Sequence, residues 1–163
     1  MGEPDPTTIE HLRALSADYA SAVDRRDAAA LRALFTDDAT LTVRDLAEGS
    51  EHVHRGPEAI AGIPAVVASR YPATFHLVGQ GRYRLVGGDA ATGEVVCEAH
   101  HHLGPLGEAA VDRVLHIRYR DDYRSSDGVG WRFAARTVEV QFVSEVPVPP
   151  RSHDTPTAEE AET

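Results

Sequence analysis

The order of the periodic segments is the feature of this sequence that most limits its fold. Near the N-terminus, apolar residues recur every three or four positions, as on one face of an amphipathic helix. These residues are Ile9, Leu12, Leu15, Tyr19, Ala22 and Val23. Beyond Tyr71 the chain changes to four strand-like runs, which are separated by glycine-containing turns. The runs cover residues 73–86, 92–103, 110–123 and 130–143. Helices followed by consecutive strands predict an α+β fold with a mainly antiparallel sheet.

The segment between these two regions predicts two shorter helices, one strand and one loop. The first short helix covers 28–35 and is followed by a strand over 39–44 and a polar loop over 45–56. The next helix covers 58–69, and Pro64 is expected to kink or divide it. We expect a cone-shaped α+β barrel, in which a curved, mixed sheet folds over the long helix and encloses a cavity for a small ligand.

Both ends of the chain differ in composition from the core. Residues 1–7 carry two prolines and no apolar pattern, so we predict a disordered arm, with Thr7 or Thr8 as the N-cap of the first helix. Residues 145–163 are rich in Pro, Glu and Thr and cannot bury enough apolar surface to offset their ordering entropy. The predicted domain therefore spans 8–144 and is followed by a disordered tail.

Composition limits the partners and the compartment. The 163 residues suit one domain, with a net charge of −10 and 16 basic residues, all arginine and not clustered. This distribution argues against nucleic acid and anionic membranes as partners. The sequence has no apolar run of membrane-spanning length and no signal-peptide pattern at its start. The single cysteine, Cys97, fits a reducing compartment, so we predict a cytoplasmic protein.

Asp24 and His76 are the candidate chemical groups. Asp24 ends the helical run, and His76 lies near the start of the first run of the sheet. Inside an apolar cavity a carboxylate orients an imidazole, which then removes a proton from a substrate as a general base. Asp24 can instead cap the following turn or pair with Arg25 or Arg26, and His76 can be a core histidine. We favour the functional interpretation because a carboxylate on a buried helix face needs a partner.

A family resemblance is carried by the segments YASAVDRRDAAALRALFTDDA, GPEAI, TFHLVGQGRYRLVGGDAATGEVVCEAHH and YRDDYRSSDGVGWRFAARTVEV. Together they resemble the nuclear-transport-factor-2-like superfamily over about residues 8–143, and within it the SnoaL-type branch. That branch includes polyketide cyclases, bile-acid 7α-dehydratase, scytalone dehydratase and hexachlorocyclohexane dehydrochlorinase. In the last three an aspartate late in the first helix pairs with a histidine at the start of a strand. Asp24 and His76 match these two by context.

The resemblance also implies roles for Tyr19, Arg136 and His101. Tyr19 stands five residues before Asp24, as in the bile-acid enzyme, Arg136 follows the WRF signature, and His101 corresponds to a further histidine of scytalone dehydratase. These groups would hydrogen-bond a developing oxyanion or protonate a leaving hydroxyl. Taken as residues alone, Tyr19 can be packing and Arg136 can form a salt bridge to a neighbouring strand.

The expected function is a cofactor-free lyase, isomerase or cyclase of a hydrophobic, oxygenated small molecule of polyketide or steroid type. By resemblance it would be a homodimer through the outer face of the sheet. We expect no metal site at His100–His102, because no carboxylate or cysteine at ligand spacing completes it. Two alternatives remain open: a non-catalytic ligand-binding or dimerisation module, and the small subunit of a ring-hydroxylating dioxygenase. A cavity filled by side chains would favour the first alternative.

Overall fold

Six strands form one curved, mixed sheet in the computed structural model, which describes residues 2–126 and 130–151. The strand order is β2-β1-β6-β5-β4-β3, and all neighbours are antiparallel except the parallel pair β1 and β6. The helices are α1 (Pro6–Asp24), α2 (Ala28–Ala33), α3 (Pro57–Ala61) and α4 (Ile63–Arg70). The strands are β1 (Phe35–Asp45), β2 (Ser50–Arg55), β3 (Ala73–Leu85), β4 (Ala90–Leu103), β5 (Ala110–Ser126) and β6 (Gly130–Val148). The predicted α+β class is confirmed, while the sheet remains open between β2 and β3 and is not a closed barrel.

The first helix begins earlier than the sequence predicted. The side chain of Asp5 accepts hydrogen bonds from the backbone N–H groups of Thr7 and Thr8, at 2.9 and 3.1 Å. Asp5 is therefore the N-cap, and the predicted cap at Thr7 or Thr8 is wrong. Pro6 occupies the first turn, where the missing N–H costs nothing. Gly2 also forms a β-bridge to the end of β3, so part of the predicted arm is attached to the sheet.

The region predicted as a loop over 45–56 contains the edge strand β2. Ser50–Arg55 pairs antiparallel with β1 through a turn in which Gly49 has a φ of 68°. The strand was missed because most of its residues are exposed, which removes the alternation of apolar and polar residues. The predicted division of the next helix is present, but it falls at Gly62, and Pro64 lies in the first turn of α4.

The last strand is longer than predicted. β6 continues to Val148, which pairs with Ala110 of β5, so the sheet extends beyond the predicted domain end at 144. Backbone pairing supplies hydrogen bonds even where side chains remain exposed. Residues 152–163, the rest of the predicted tail, lie outside the described residues.

The hydrophobic core lies between α1 and the inner face of the sheet. The helix contributes its predicted apolar stripe, and the strands contribute alternate residues that point to the same side. The largest fully buried apolar side chains are Leu12, Leu31, Phe35, Leu41, Ile60, Tyr119, Tyr123 and Phe133. Full burial of one such side chain contributes about 1.5–3 kcal/mol. Within the described residues, no helix is both long enough and apolar enough to span a membrane.

Candidate active site

Asp24 and His76 are in direct contact. Asp24 is the last residue of α1, which crosses the inner face so that its C-terminal end lies against the start of β3. Nδ1 of His76 lies 2.7 Å from Oδ1 of Asp24, and the backbone N–H of His76 donates to Oδ2 at 2.9 Å. The His76 side chain is 7% exposed and that of Asp24 is 20% exposed. The structure therefore brings together the two groups on which the predicted chemistry depends.

The surroundings keep Asp24 ionised. Burial raises the pKa of its carboxyl. The hydrogen bonds from His76 and from the Thr74 hydroxyl, together with the charge of His76, lower it by more, so the net shift is downward. Thr74 donates to Oδ1 at 2.8 Å. Because an ionised carboxylate only accepts hydrogen bonds, Nδ1 of His76 carries the proton of this contact. In the neutral ring Nε2 then has a lone pair, as a general base requires.

His101 lies beside this pair on β4. Its ring centre is 5.9 Å from that of His76, and the ring of Tyr71 packs on its other side at 4.5 Å. Burial, followed by the proximity of His76, lowers the pKa of His101 to about 4, so the ring is neutral at pH 7. Its Nδ1 lies 3.1 Å from the carbonyl oxygen of Ala99, a contact in which a ring protonated on Nδ1 is the donor.

Arg136 forms a buried ion pair on another part of the inner face. Its Nε and Nη2 donate to the two carboxylate oxygens of Asp121, each at 2.8 Å, and both side chains are fully buried. Nη2 also donates to the hydroxyl of Ser16 at 2.9 Å. Burial is the largest single effect and lowers the pKa of Arg136, but the charge and the hydrogen bonds of Asp121, with smaller effects of Tyr119 and Tyr123, together raise it by more, so the guanidinium remains protonated. This is the salt bridge to a neighbouring strand that the sequence left open as the plain alternative.

Tyr19 belongs to the surroundings of Arg136. The guanidinium carbon lies 4.4 Å from the ring centre of Tyr19 and 4.1 Å from those of Tyr119 and Phe133, which are cation–π distances. Burial raises the pKa of Tyr19 to about 12, so its phenol is neutral. Within the described residues, Nη1 of Arg136 is a buried side-chain nitrogen without a protein hydrogen-bond partner.

The register of β4 shows how far the Asp24–His76 pair lies from the Arg136–Asp121 pair. His76 pairs with Ala99 of β4, whereas Asp121 pairs with Gly93, six residues earlier. At about 3.3 Å per residue, the two backbone positions are roughly 20 Å apart along the strand. The five residues predicted for one site therefore form two clusters: Asp24, His76 and His101 in one, and Tyr19 and Arg136 in the other.

The space between the clusters is occupied by side chains. Cys97 on β4 and Tyr119 on β5 are buried there, and burial raises the pKa of the Cys97 thiol to about 11. Five surface depressions of about 360–550 Å³ are lined by other residues, and none is lined by Asp24, His76 or His101. The predicted open cavity is thus not found among these depressions. One of about 360 Å³, lined by Ala17, Val78 and Gly79, lies between α1 and β3, beyond His76 along the strand.

Other candidate groups lie elsewhere. Across residues 2–126 and 130–151, no three histidine, cysteine, aspartate or glutamate side chains are grouped as metal ligands. His100 instead contacts Asp112 at 2.6 Å on the outer face of the sheet. His116 lies on the same face, where its ring stacks on Phe142 at 4.1 Å.

Sequence reasoning missed several partners that a closer use of periodicity would have found. Thr74 precedes His76 by two residues and therefore lies on the same side of β3. Asp121 alternates in the same way with Tyr119 and Tyr123, which places its carboxylate on the inner face. Ser16 lies on the apolar stripe of α1.

Comparison with known families agrees with this architecture. Residues 7–137 match the sequence model of the SnoaL-like domain, so the chain belongs to the SnoaL-like domain family. The predicted membership in the SnoaL-type branch of the nuclear-transport-factor-2-like superfamily is confirmed. No protein of curated function matches the chain by sequence.

Solved structures show the same fold. A type 2 hexachlorocyclohexane dehydrochlorinase, LinA, is 19% identical with a TM-score of 0.73, and the match covers 91% of this chain and 95% of that one. A type 3 LinA from Novosphingobium barchaimii is 21% identical with a TM-score of 0.71, covering 86% and 90%. A scytalone dehydratase candidate from Novosphingobium aromaticivorans is 18% identical with a TM-score of 0.70, covering 93% and 95%. At these identities the similarity establishes the fold.

Proposed function

We propose that this chain is a cofactor-free lyase, isomerase or cyclase in which His76, oriented by Asp24, acts as the general base. The observation that carries the proposal is the 2.7 Å contact between a carboxylate with a lowered pKa and Nδ1 of the histidine. The lyase names of several structural neighbours support the same reaction class. We assign a hydrophobic, oxygenated substrate of polyketide or steroid type and a dehydration or cyclisation as the reaction.

The chemistry follows from the free Nε2 of His76. Nε2 takes a proton from the carbon next to a substrate carbonyl, and the C–H electron pair forms an enolate. Asp24 stabilises the resulting imidazolium through its charge. In dehydration, the imidazolium returns the proton to the departing β-hydroxyl, and the products are an enone and water. In isomerisation the same proton returns to another carbon. In cyclisation the enolate carbon attacks a second carbonyl, whose oxygen becomes an alkoxide and takes the proton back from the imidazolium.

Arg136 and Tyr19 act indirectly in this proposal. Both carboxylate oxygens of Asp121 are engaged by the guanidinium, and the ring of Tyr19 packs on it. We therefore assign these residues to holding α1 against the sheet rather than to the reacting atoms.

The test is turnover of a panel of β-hydroxyketones and poly-β-ketones. His76→Ala and Asp24→Asn are each expected to lower kcat by about 10²–10⁴-fold. His52→Ala is the matched control, because His52 is exposed on β2 and far from the pair in the fold. Thermal unfolding of each variant separates a lost base from a lost fold. Full turnover by both folded variants would refute the assignment.

A second candidate function is a non-catalytic ligand-binding module. The packed inner face favours it, because buried side chains occupy the expected cavity. One experiment distinguishes the two functions. If the protein is a binding module, the panel compounds bind, as detected by calorimetry, but remain chemically unchanged after long incubation. Binding that His76→Ala leaves intact would support the module.

The outer face of the sheet is the proposed interface of a homodimer. Leu77, Glu98, His116 and Phe142 lie side by side across four strands in this face. Leu77 is 53% and Phe142 is 56% exposed, which is unusual for side chains of this size. A second copy related by a two-fold axis would cover this row, with Glu98 opposite His116 and Leu77 opposite Phe142, so the row is self-complementary. Phe142→Glu is expected to give monomers by light scattering, whereas Leu106→Glu, at an exposed loop position, should not.

We place the protein in the cytoplasm. Its single cysteine is a buried free thiol, which is in keeping with a reducing compartment.

A further inference from the structure

Arg26 has an unusual backbone conformation next to the Asp24–His76 pair. Its φ is 61°, and it is the non-glycine residue with positive φ in the part of the chain that the structure describes. It terminates α1: its N–H donates to the carbonyl of Val23, and the N–H of Asp27 donates to that of Ala22. This is a Schellman motif, in which glycine is strongly preferred at the left-handed position. A strained residue where glycine would be relaxed is a reason to look for a function of its side chain.

The side chain of Arg26 connects three elements. Nη1 donates to the carbonyl of Val23 at 3.1 Å and to the hydroxyl of Thr74 at 3.0 Å. Nη2 donates to the carbonyl of Tyr71 at 3.2 Å. The guanidinium thus joins the end of α1 to the segment that enters β3, directly before His76.

The contact with Thr74 determines the direction of the next hydrogen bond. A guanidinium has only donors, so the Thr74 oxygen accepts from Arg26. The one hydroxyl proton of Thr74 is then directed to Oδ1 of Asp24, at 2.8 Å. Oδ1 receives this bond and the one from Nδ1 of His76, while Oδ2 receives the backbone N–H of His76. Both carboxylate oxygens are therefore held by donors.

We propose that Arg26 is a positioning residue for the Asp24–His76 pair, which it orients through Thr74. In this arrangement Asp24 stays ionised and in place, and it keeps the proton of His76 on Nδ1, which leaves the lone pair of the neutral ring on Nε2. The inference rests on the proposed function for its catalytic meaning, but its physical consequences are measurable without a substrate.

Two titratable side chains that face the pair, His101 and Cys97, are neutral near pH 7. His101 and Cys97 approach from β4, with pKa values of about 4 and about 11, and Tyr71 lies at the end of α4. Arg26 acts on Asp24 through the hydroxyl of Thr74, to which both side chains are hydrogen-bonded. Removing Arg26 takes away the donor that orients the Thr74 hydroxyl, whose hydrogen bond lowers the pKa of Asp24, so this pKa is expected to rise towards its ordinary value.

Arg26→Gly is the decisive variant, because glycine is the best residue for this backbone conformation. If Arg26 serves only the turn, glycine preserves every property of the pair. The proposal expects the unfolding midpoint to be unchanged or raised. It also expects the Asp24 carboxyl to titrate at higher pH by ¹³C NMR, and the ¹⁵N spectrum of the neutral His76 ring to lose the dominance of its Nδ1-protonated tautomer.

Two further variants complete the test. Thr74→Val keeps the shape of the side chain but removes the hydroxyl. It should reproduce the Asp24 and His76 changes seen in Arg26→Gly, and combining Arg26→Gly with Thr74→Val should add no further change. Arg25→Gly is the matched control, because it removes an arginine charge one residue earlier in the chain, from a side chain that is exposed. It should leave both NMR signals as in the wild type. Wild-type titration and tautomer in folded Arg26→Gly or Thr74→Val would overturn the proposal. Full turnover by His76→Ala would refute the proposed function instead, and it leaves these NMR results standing.

Discussion

Breaking the buried pair of Arg136 and Asp121 is expected to destabilise the protein severely. Both side chains are 0% exposed and are joined by two hydrogen bonds of 2.8 Å. Removing one partner leaves an uncompensated buried charge, which costs about 3–5 kcal/mol. A domain of this size has a stability of about 5–15 kcal/mol, so Arg136→Met or Asp121→Asn removes a large share of it.

The double variant measures the interaction itself. Arg136→Met combined with Asp121→Asn removes both charges, so its cost is expected to be below the sum of the single costs by about 2–3 kcal/mol. Equilibrium urea unfolding, followed by the fluorescence of Trp131, the single tryptophan, and by far-UV circular dichroism, gives each free energy.

The matched control is the exposed pair of Arg124 and Asp38, whose side chains are 52% and 69% exposed. Arg124→Met and Asp38→Asn should each cost no more than about 1 kcal/mol. The reasoning fails if either buried single variant costs less than about 1 kcal/mol, or if the two buried variants are additive. Either result would mean that water reaches the pair in solution.

The remaining predictions concern three titratable side chains. Because the pKa of Asp24 in the folded protein lies below its ordinary 3.8, the ionised carboxylate stabilises the fold above pH 3.8, and this stabilisation is lost at lower pH. The difference in free energy of unfolding between wild type and Asp24→Asn should therefore become smaller as the pH falls below 3.8. His101 has a folded pKa of about 4 against an ordinary 6.5, so the unfolded chain takes up its proton first. Wild type should therefore lose stability relative to His101→Gln between pH 6.5 and 4 in urea titrations, and a flat difference would contradict the assignment. Cys97 has a pKa of about 11 and is buried, so the native protein should not react with a thiol-specific disulfide reagent at pH 8, whereas protein in urea should react at once.

The elements that could be predicted from the sequence are those with strong periodicity. The stripe through Leu12, Tyr19 and Val23 buries as expected, and the four long strands after Tyr71 are present. β2 could not be predicted, because an exposed edge strand has no buried face to impose alternation. The cap at Asp5 was missed because Thr7 and Thr8 are also N-cap residue types and lie nearer to the first residue of the apolar stripe, Ile9.

For the site, sequence context identified Asp24 and His76, and the structure places them in contact. The same reasoning grouped Arg136 with them, although the register of β4 separates them and Asp121 already neutralises its charge. The catalytic roles themselves stay predictions.

The amino-acid sequence by itself determined the order of helices and strands and the side of each that is buried, since both follow from local periodicity. Only the tertiary structure decided which polar side chains meet. Those contacts depend on strand register and on where α1 ends against β3. A shift of one residue in the register would reverse every inward-facing side chain of a strand, and no local pattern encodes it across 52 positions.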